Sequence, residues 1–197
     1  MKIKHFEVED LRLKRTKKYV RVIELAPDGL LTRDAVIKYT GSDVERDVLK
    51  LVAVESEKGS GDIGLGFVKG VGLTKGAVAQ SLSIEPGLII GVGKSDEDLA
   101  SAVRRVAQLG GGIVVVAGGM IMAELKLPLE VKRSENAAEL AAEKTRVLAE
   151  SAAGLGCRLA APFAVLAFLT AAPIPQLRLT EKGLFDPVKQ KIVDLFE

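Results

Sequence analysis

The sequence predicts an α/β domain, a mixed β-sheet covered by two main helices. Three observations predict it. Short runs rich in Val, Ile and Leu recur along the chain, bounded by Gly, Pro and Asp. Two longer segments, one from Ser95 and one from near Ser134, read instead as helices. Their order is mostly strands, then β-α-β-β-α-β, which is the pattern of a layered domain.

Tyr19 to Leu25 (YVRVIEL) alternates and is rich in β-branched residues, so it reads as a strand. Pro27-Asp28-Gly29 reads as a turn. Ala35 to Thr40 and Val48 to Glu55 read as further strands, with Gly41-Ser42-Asp43 between them. Ala77 to Leu82 and Leu88 to Val92 are short apolar runs separated by Pro86-Gly87. Ser95 can cap a helix, with Asp98 three residues on. Leu99, Ala102, Val103 and Val106 share one helical face, and Gly110 to Gly112 end it. Ile113 to Ala117 and Met120 to Leu127 flank Gly118-Gly119, a hairpin signal. An Ala-rich helix is expected from about Ser134 to Leu155. Pro162 to Leu169 is expected as a strand or buried segment, and Leu177 to Leu179 and Lys191 to Phe196 as edge strands.

With 197 residues, 48% of them hydrophobic and 27% charged, the chain is long enough for a proper core and too apolar for disorder. A net charge of +2 points to no strongly charged partner. The longest apolar stretch, Ala160 to Ile174, contains two prolines and falls short of the ~20 residues a spanning helix needs. The N-terminus has no apolar signal region. A cytoplasmic protein is expected, and the single Cys157 agrees with a reducing compartment. One histidine and one cysteine cannot supply the roughly three or four ligands of a His/Cys zinc site.

Gly59-Ser-Gly61-Asp-Ile-Gly64 spells the glycine pattern of a dinucleotide loop. That loop needs a helix after it, to hold the pyrophosphate. Here Gly66, Gly70, Gly72 and Gly76 follow, and each would cost a helix about 1 kcal/mol relative to Ala. Tight turns and close backbone packing are the better reading. A narrower possibility is that N–H groups from Lys58 to Gly61 hold a small anion or line a pocket. Glu55, Glu57 and Glu85 are carboxylates near this segment, suited to acid–base work only if a pocket raised one pKa. Asp96, Glu97 and Asp98 read as dipole and cap stabilisation of a helix start. The basic run Arg12 to Lys18 has no interleaved aromatic and reads as a solvated loop rather than a nucleic-acid patch. His5 reads as solvated and Cys157 as a small buried hydrophobe.

From Asp47 onward the chain resembles a known family. DVLKLVAVESEKGSGDIGLGFVKGVGLTKGAVAQS, GVGKSDEDLASAVRRVAQLGGGIVVVAGG, AELKLPL and PIPQLRLTEKGLFD, in this order, look like the C-terminal domain of adenine deaminases. The resemblance implies one domain over residues 1–197, with 1–46 matching more weakly than 47–197. In that family the domain follows a metal-dependent amidohydrolase barrel that hydrolyses adenine to hypoxanthine and ammonia. No barrel is expected in this chain, which departs from the family's polar motifs. The family's Arg-His is Ser56-Glu57 here, its His-Asp-Ser-His-Asn is Ile84-Glu85-Pro86-Gly87-Leu88, and its Gly-Leu-Met-Ser is Val131-Lys132-Arg133-Ser134.

The resemblance therefore implies a stand-alone, non-catalytic accessory, assembly or ligand-binding module. The alternative is one part of an adenine deaminase whose metal-binding barrel is on another chain. No catalytic residue, metal or cofactor is expected in this chain, because the relatives' divalent metal sits in the barrel. The candidate ligand-binding residues are Lys58, Gly59, Ser60, Gly61, Ser83 and Glu85. The expected partners are a second copy or a separate amidohydrolase-type subunit, and a purine-like small molecule. No nucleic acid and no membrane are expected.

Overall fold

The computed structural model describes residues 1–13, 17–27, 31–38, 47–127 and 137–197. Eight strands form one sheet: β1 Tyr19–Leu25, β2 Thr32–Lys38, β3 Val48–Glu55, β4 Ile63–Lys69, β5 Ala77–Gln80, β6 Leu88–Gly93, β7 Gly112–Ala117 and β8 Met120–Lys126. Their spatial order is β2-β1-β4-β3-β6-β5-β7-β8. Only β1 and β4 run parallel; every other neighbouring pair is antiparallel. Three further strands, β9 Arg178–Thr180, β10 Gly183–Asp186 and β11 Lys191–Ile192, make a small second sheet. The helices are α1 Asp96–Leu109, α2 Ala137–Gly154 and α3 Pro162–Phe168.

Alternation along the strands divides the core between the two faces of the large sheet. In β3, Val52 and Val54 point to one side, where they meet Leu99, Ala102, Val103 and Val106 of α1 together with Phe6 and Leu11 of the N-terminal segment. Leu49, Leu51 and Ala53 point to the other side. There they meet Leu148 and Ala152 of α2, Phe163 and Leu166 of α3, and Leu179 and Leu184 of the small sheet. The result is the mixed, layered α/β architecture that the element order predicts.

The α1 helix forms as its sequence indicates. The Ser95 side chain accepts the N–H of Asp98 at 3.2 Å, and Gly110 ends the helix in the left-handed region. Its first turn does more than balance a dipole. Asp96 pairs with Lys50 of β3, whose ammonium also donates to the Leu11 carbonyl at 2.7 Å. The Asp98 carboxylate accepts from Gly118 N at 3.1 Å and Gly119 N at 2.8 Å, and so fixes the β7–β8 turn.

Other expectations are corrected. Within the glycine segment, read as tight turns and close backbone packing, Ile63–Lys69 is a central strand. Residues 162–168 form a third helix, not a strand: Pro162 stands at the start of the helix, where its missing N–H and fixed φ are suited, and Phe163, Val165 and Leu166 are buried. Lys191 to Phe196 is a strand only at Lys191–Ile192; further on, Phe196 bridges to Val20 of β1. A strand at Gly183–Asp186 was not expected. β2 begins at Thr32 and, as described, ends at Lys38. Asp28-Gly29, Thr40, Gly41-Ser42-Asp43 and Ser134 lie outside the described residues. Among the described residues, no helix is long and apolar enough to cross a membrane.

Candidate functional site

The glycine segment is explained by packing. Gly64 and Gly66 of β4 lie directly beneath the small sheet. A Cβ on Gly64 would overlap the Thr180 carbonyl, lying 2.9 Å from its carbon and 3.0 Å from Gly183 N. A Cβ on Gly66 would approach Leu179 and Leu184 at 3.2 and 3.3 Å. The bare backbone lets β9 and β10 settle onto the large sheet, and Thr180, at this contact, lines a cleft.

One wall of the cleft is the loop between β3 and β4. Glu55, at the end of β3, turns its carboxylate into that loop. Oε1 accepts Glu57 N at 2.7 Å and Lys58 N at 2.6 Å, and Oε2 accepts Ser60 N at 2.9 Å. The Ser60 hydroxyl is also 3.3 Å from Oε2. These donors stabilise the charged form, the Lys58 amide most of all, and outweigh the opposing effect of burial; the Glu55 pKa falls to about 2. The anion held by the amides of Lys58 and Ser60 is thus the protein's own carboxylate. Glu55 is a loop anchor, permanently ionised near neutral pH, and unsuited to passing a proton there.

The second wall is the turn joining β5 to β6. Ser83 Oγ donates to the Glu85 carbonyl at 2.6 Å. The Gly87 carbonyl accepts Ser56 N at 2.8 Å and Ser56 Oγ at 3.0 Å, tying this turn to the β3–β4 loop. Gly87 has φ +77°, and a Cβ there would press within 3.0 Å of Glu57 Cβ, so glycine is required on both counts.

The small sheet closes the third side. Lys182, in the β9–β10 turn, donates to Asp62 Oδ2 at 2.5 Å, and Ser60 Oγ donates to the same carboxylate at 2.7 Å. The Lys182 ammonium holds the Asp62 carboxyl below its ordinary pKa, and Asp62 raises that of Lys182. The cleft between these walls is open to solvent and has a volume of about 610 Å³. Apolar surface from Leu88, Ala172, Phe185 and Ile192 lines it together with Glu57, Lys58, Glu85, Glu181 and Lys191.

Of the six residues singled out in the sequence, Lys58 and Glu85 line this cleft. Gly59 and Gly61 back onto Lys2 and Lys4 of the N-terminal segment, Ser60 braces the loop, and Ser83 braces the turn. The wall from Thr180 to Ile192 was missed. No local motif marks it, and it lies some 120 positions from Asp62, the residue it clasps. His5 is far exposed and pairs with Glu7 at 2.6 Å. Cys157 is half-buried, and burial pushes its thiol pKa up. Among the described residues, no three His, Cys, Asp or Glu side chains cluster as a metal site. Residues 14–16 of the basic run and Val131-Lys132-Arg133-Ser134 lie outside the described residues.

Fold and cleft together define a layered α/β module whose most buried cleft carboxylate is structural. Residues 30–191 match the model of the adenine deaminase C-terminal domain. The chain is 38% identical over 199 residues to an adenine deaminase of Dehalococcoides mccartyi, covering 98% of this chain and 35% of that relative. It is 40% identical over 195 residues to one of Archaeoglobus fulgidus, covering 99% of this chain and 34% of the relative. To one of Desulfatibacillum aliphaticivorans it is 39% identical, covering 95% and 34%. The chain belongs to the adenine deaminase C-terminal domain family, and spans about a third of the length of these relatives.

Proposed function

We propose that this chain is a non-catalytic accessory domain that works beside an amidohydrolase-type subunit in the cytoplasm. The reading is supported by the state of Glu55. The most buried carboxylate of the cleft is committed to three loop amides and held near pKa 2. Attack on C6 of adenine requires an activated water, ordinarily supplied by a bound metal. One histidine and one cysteine in 197 residues cannot build a His/Cys centre for it. The purified chain, incubated with adenine with and without Mn²⁺ or Fe²⁺, is expected to release no ammonia above blank; clear turnover would overturn the reading.

A second reading follows from the relatives, which are themselves named adenine deaminases. In it the chain completes a working deaminase whose metal-binding barrel is on another chain, and Lys58 and Glu85 meet a purine-like ligand in the cleft. Calorimetry separates the two. Stoichiometric adenine binding that is abolished by Lys58→Ala or Glu85→Ala favours the second reading, and heats indistinguishable from dilution favour the first.

A further inference from the structure

β8 ends the large sheet, and among the described residues no strand pairs with its outer edge. A bulge opposite Val115 and Val116 interrupts the β7–β8 register next to Met122, so the regular part of this edge runs from Ala123 to Leu127. The backbone groups it offers follow from its inner neighbours. Gly112 of β7 turns its N–H to Ser81 Oγ and its C=O to Ser81 N, away from β8. Lys126 stands opposite Gly112, and Leu127 N bonds inward to the Gly111 carbonyl at 2.9 Å. The alternation of an antiparallel ladder then turns the N–H and C=O of both Glu124 and Lys126 outward.

The side chains at these two positions carry opposite charges and share the α1 face of the sheet. Glu124 accepts two bonds from Arg105 of α1, at 2.7 and 2.8 Å. Lys126 is exposed and, among the described residues, has no carboxylate partner. On the other face Ala123, Leu125 and Leu127 pack with the core beneath α2. Charges on an edge strand ordinarily keep copies apart. A Glu and a Lys two positions apart do the reverse in one register. When two antiparallel copies pair about Leu125, Glu124 of each meets Lys126 of the other. Ala123 then meets Leu127 on the apolar face, and the outward backbone groups of each Glu–Lys pair exchange both hydrogen bonds. A slide of two residues either way sets Glu124 against Glu124 or Lys126 against Lys126, and a slide of one turns the apolar face over.

We propose that β8 is a self-pairing edge: a second copy of this chain adds its own β8 antiparallel about Leu125, joining the two large sheets into one. The occupant is a second copy because the alternating charges of this edge complement themselves in that register. The contact is isologous and consumes the edge that builds it, so it closes at two copies.

The test is sedimentation of the full chain over a concentration series. The wild type is expected to be a dimer. Lys126→Glu leaves two acidic positions on the edge and Glu124→Lys leaves two basic ones, and each variant alone is expected to raise the dimer dissociation constant at least about tenfold. Mixed together, the two variants regain both opposite-charge pairs and are expected to form a heterodimer as tight as the wild-type dimer. Lys126→Glu, at an exposed position, should melt as the wild type does. Amide exchange gives a readout independent of charge: the Glu124 and Lys126 amides of the wild type should slow as concentration rises. A monomeric wild type, a dimer that both single reversals leave intact, a mixture that does not associate, or unchanged exchange at those two amides overturns the proposal.

Discussion

Gly64→Ala tests the contact that builds the cleft. In an unobstructed strand this change would stabilise, because alanine loses less backbone freedom on folding, by roughly 0.5–1 kcal/mol. At Gly64 the sign reverses. The new methyl would overlap the Thr180 carbonyl and lie 3.0 Å from Gly183 N. Both obstacles are backbone, so no side-chain rotation relieves them, and the β9–β10 hairpin must lift from β4. Overpacking of this kind costs about 1–3 kcal/mol. Lifting also begins to expose Leu179 and Leu184, now 0% and 1% accessible, each worth roughly 1.5–3 kcal/mol when fully buried. A net loss of about 3 kcal/mol is expected, equivalent to a fall in Tm of about 6–12 °C for a chain this size. Gly154→Ala, at the end of α2 with nothing within 4 Å of the added methyl, is the control and should be neutral or slightly stabilising. The assay is thermal unfolding followed by circular dichroism. A Gly64→Ala variant as stable as the wild type would refute the packing explanation of the glycine segment.

Glu55→Gln replaces an ionised acceptor with a neutral amide and should cost about 2 kcal/mol at pH 7, read from urea unfolding. The folded pKa of Glu55, about 2, lies below its ordinary 4.5, so its contribution is complete above pH 4.5 and is lost as pH falls toward 2. The difference between wild type and Glu55→Gln should therefore shrink across that window; a constant gap would count against the amide cage. Asp98→Ala removes the acceptor of Gly118 and Gly119 and should destabilise by about 1 kcal/mol, with faster amide exchange at those two glycines. Unchanged exchange there would show that the β7–β8 turn holds itself. Ser95→Ala should cost about 1 kcal/mol through loss of the α1 cap, and a melt identical to wild type would argue against that cap.

The sequence by itself determined the elements whose signals are local. Ser95, the stripe from Leu99 to Val106 and the glycines after it specify α1, because capping and helical periodicity involve neighbours only a few positions apart. Gly118-Gly119 likewise specifies the β7–β8 hairpin. The family resemblance was also legible, since it rests on ordered residue identities rather than on contacts. Tertiary structure decided the rest. β4 could not be read from IGLGFVK, because glycine has low strand propensity and contributes nothing to an alternating pattern; pairing with β3 and the weight of the small sheet above make it a strand. The seven residues Pro162–Phe168 are too uniformly apolar to show a period, and burial against the large sheet, with Pro162 at the start, makes them a helix. In the candidate site, Lys58 and Glu85 could be singled out near the glycines. That Glu55 would be caged by Lys58 and Ser60, and that Lys182 and Phe185 would complete the cleft, depends on contacts that loop closure and sheet packing create, which no local pattern encodes.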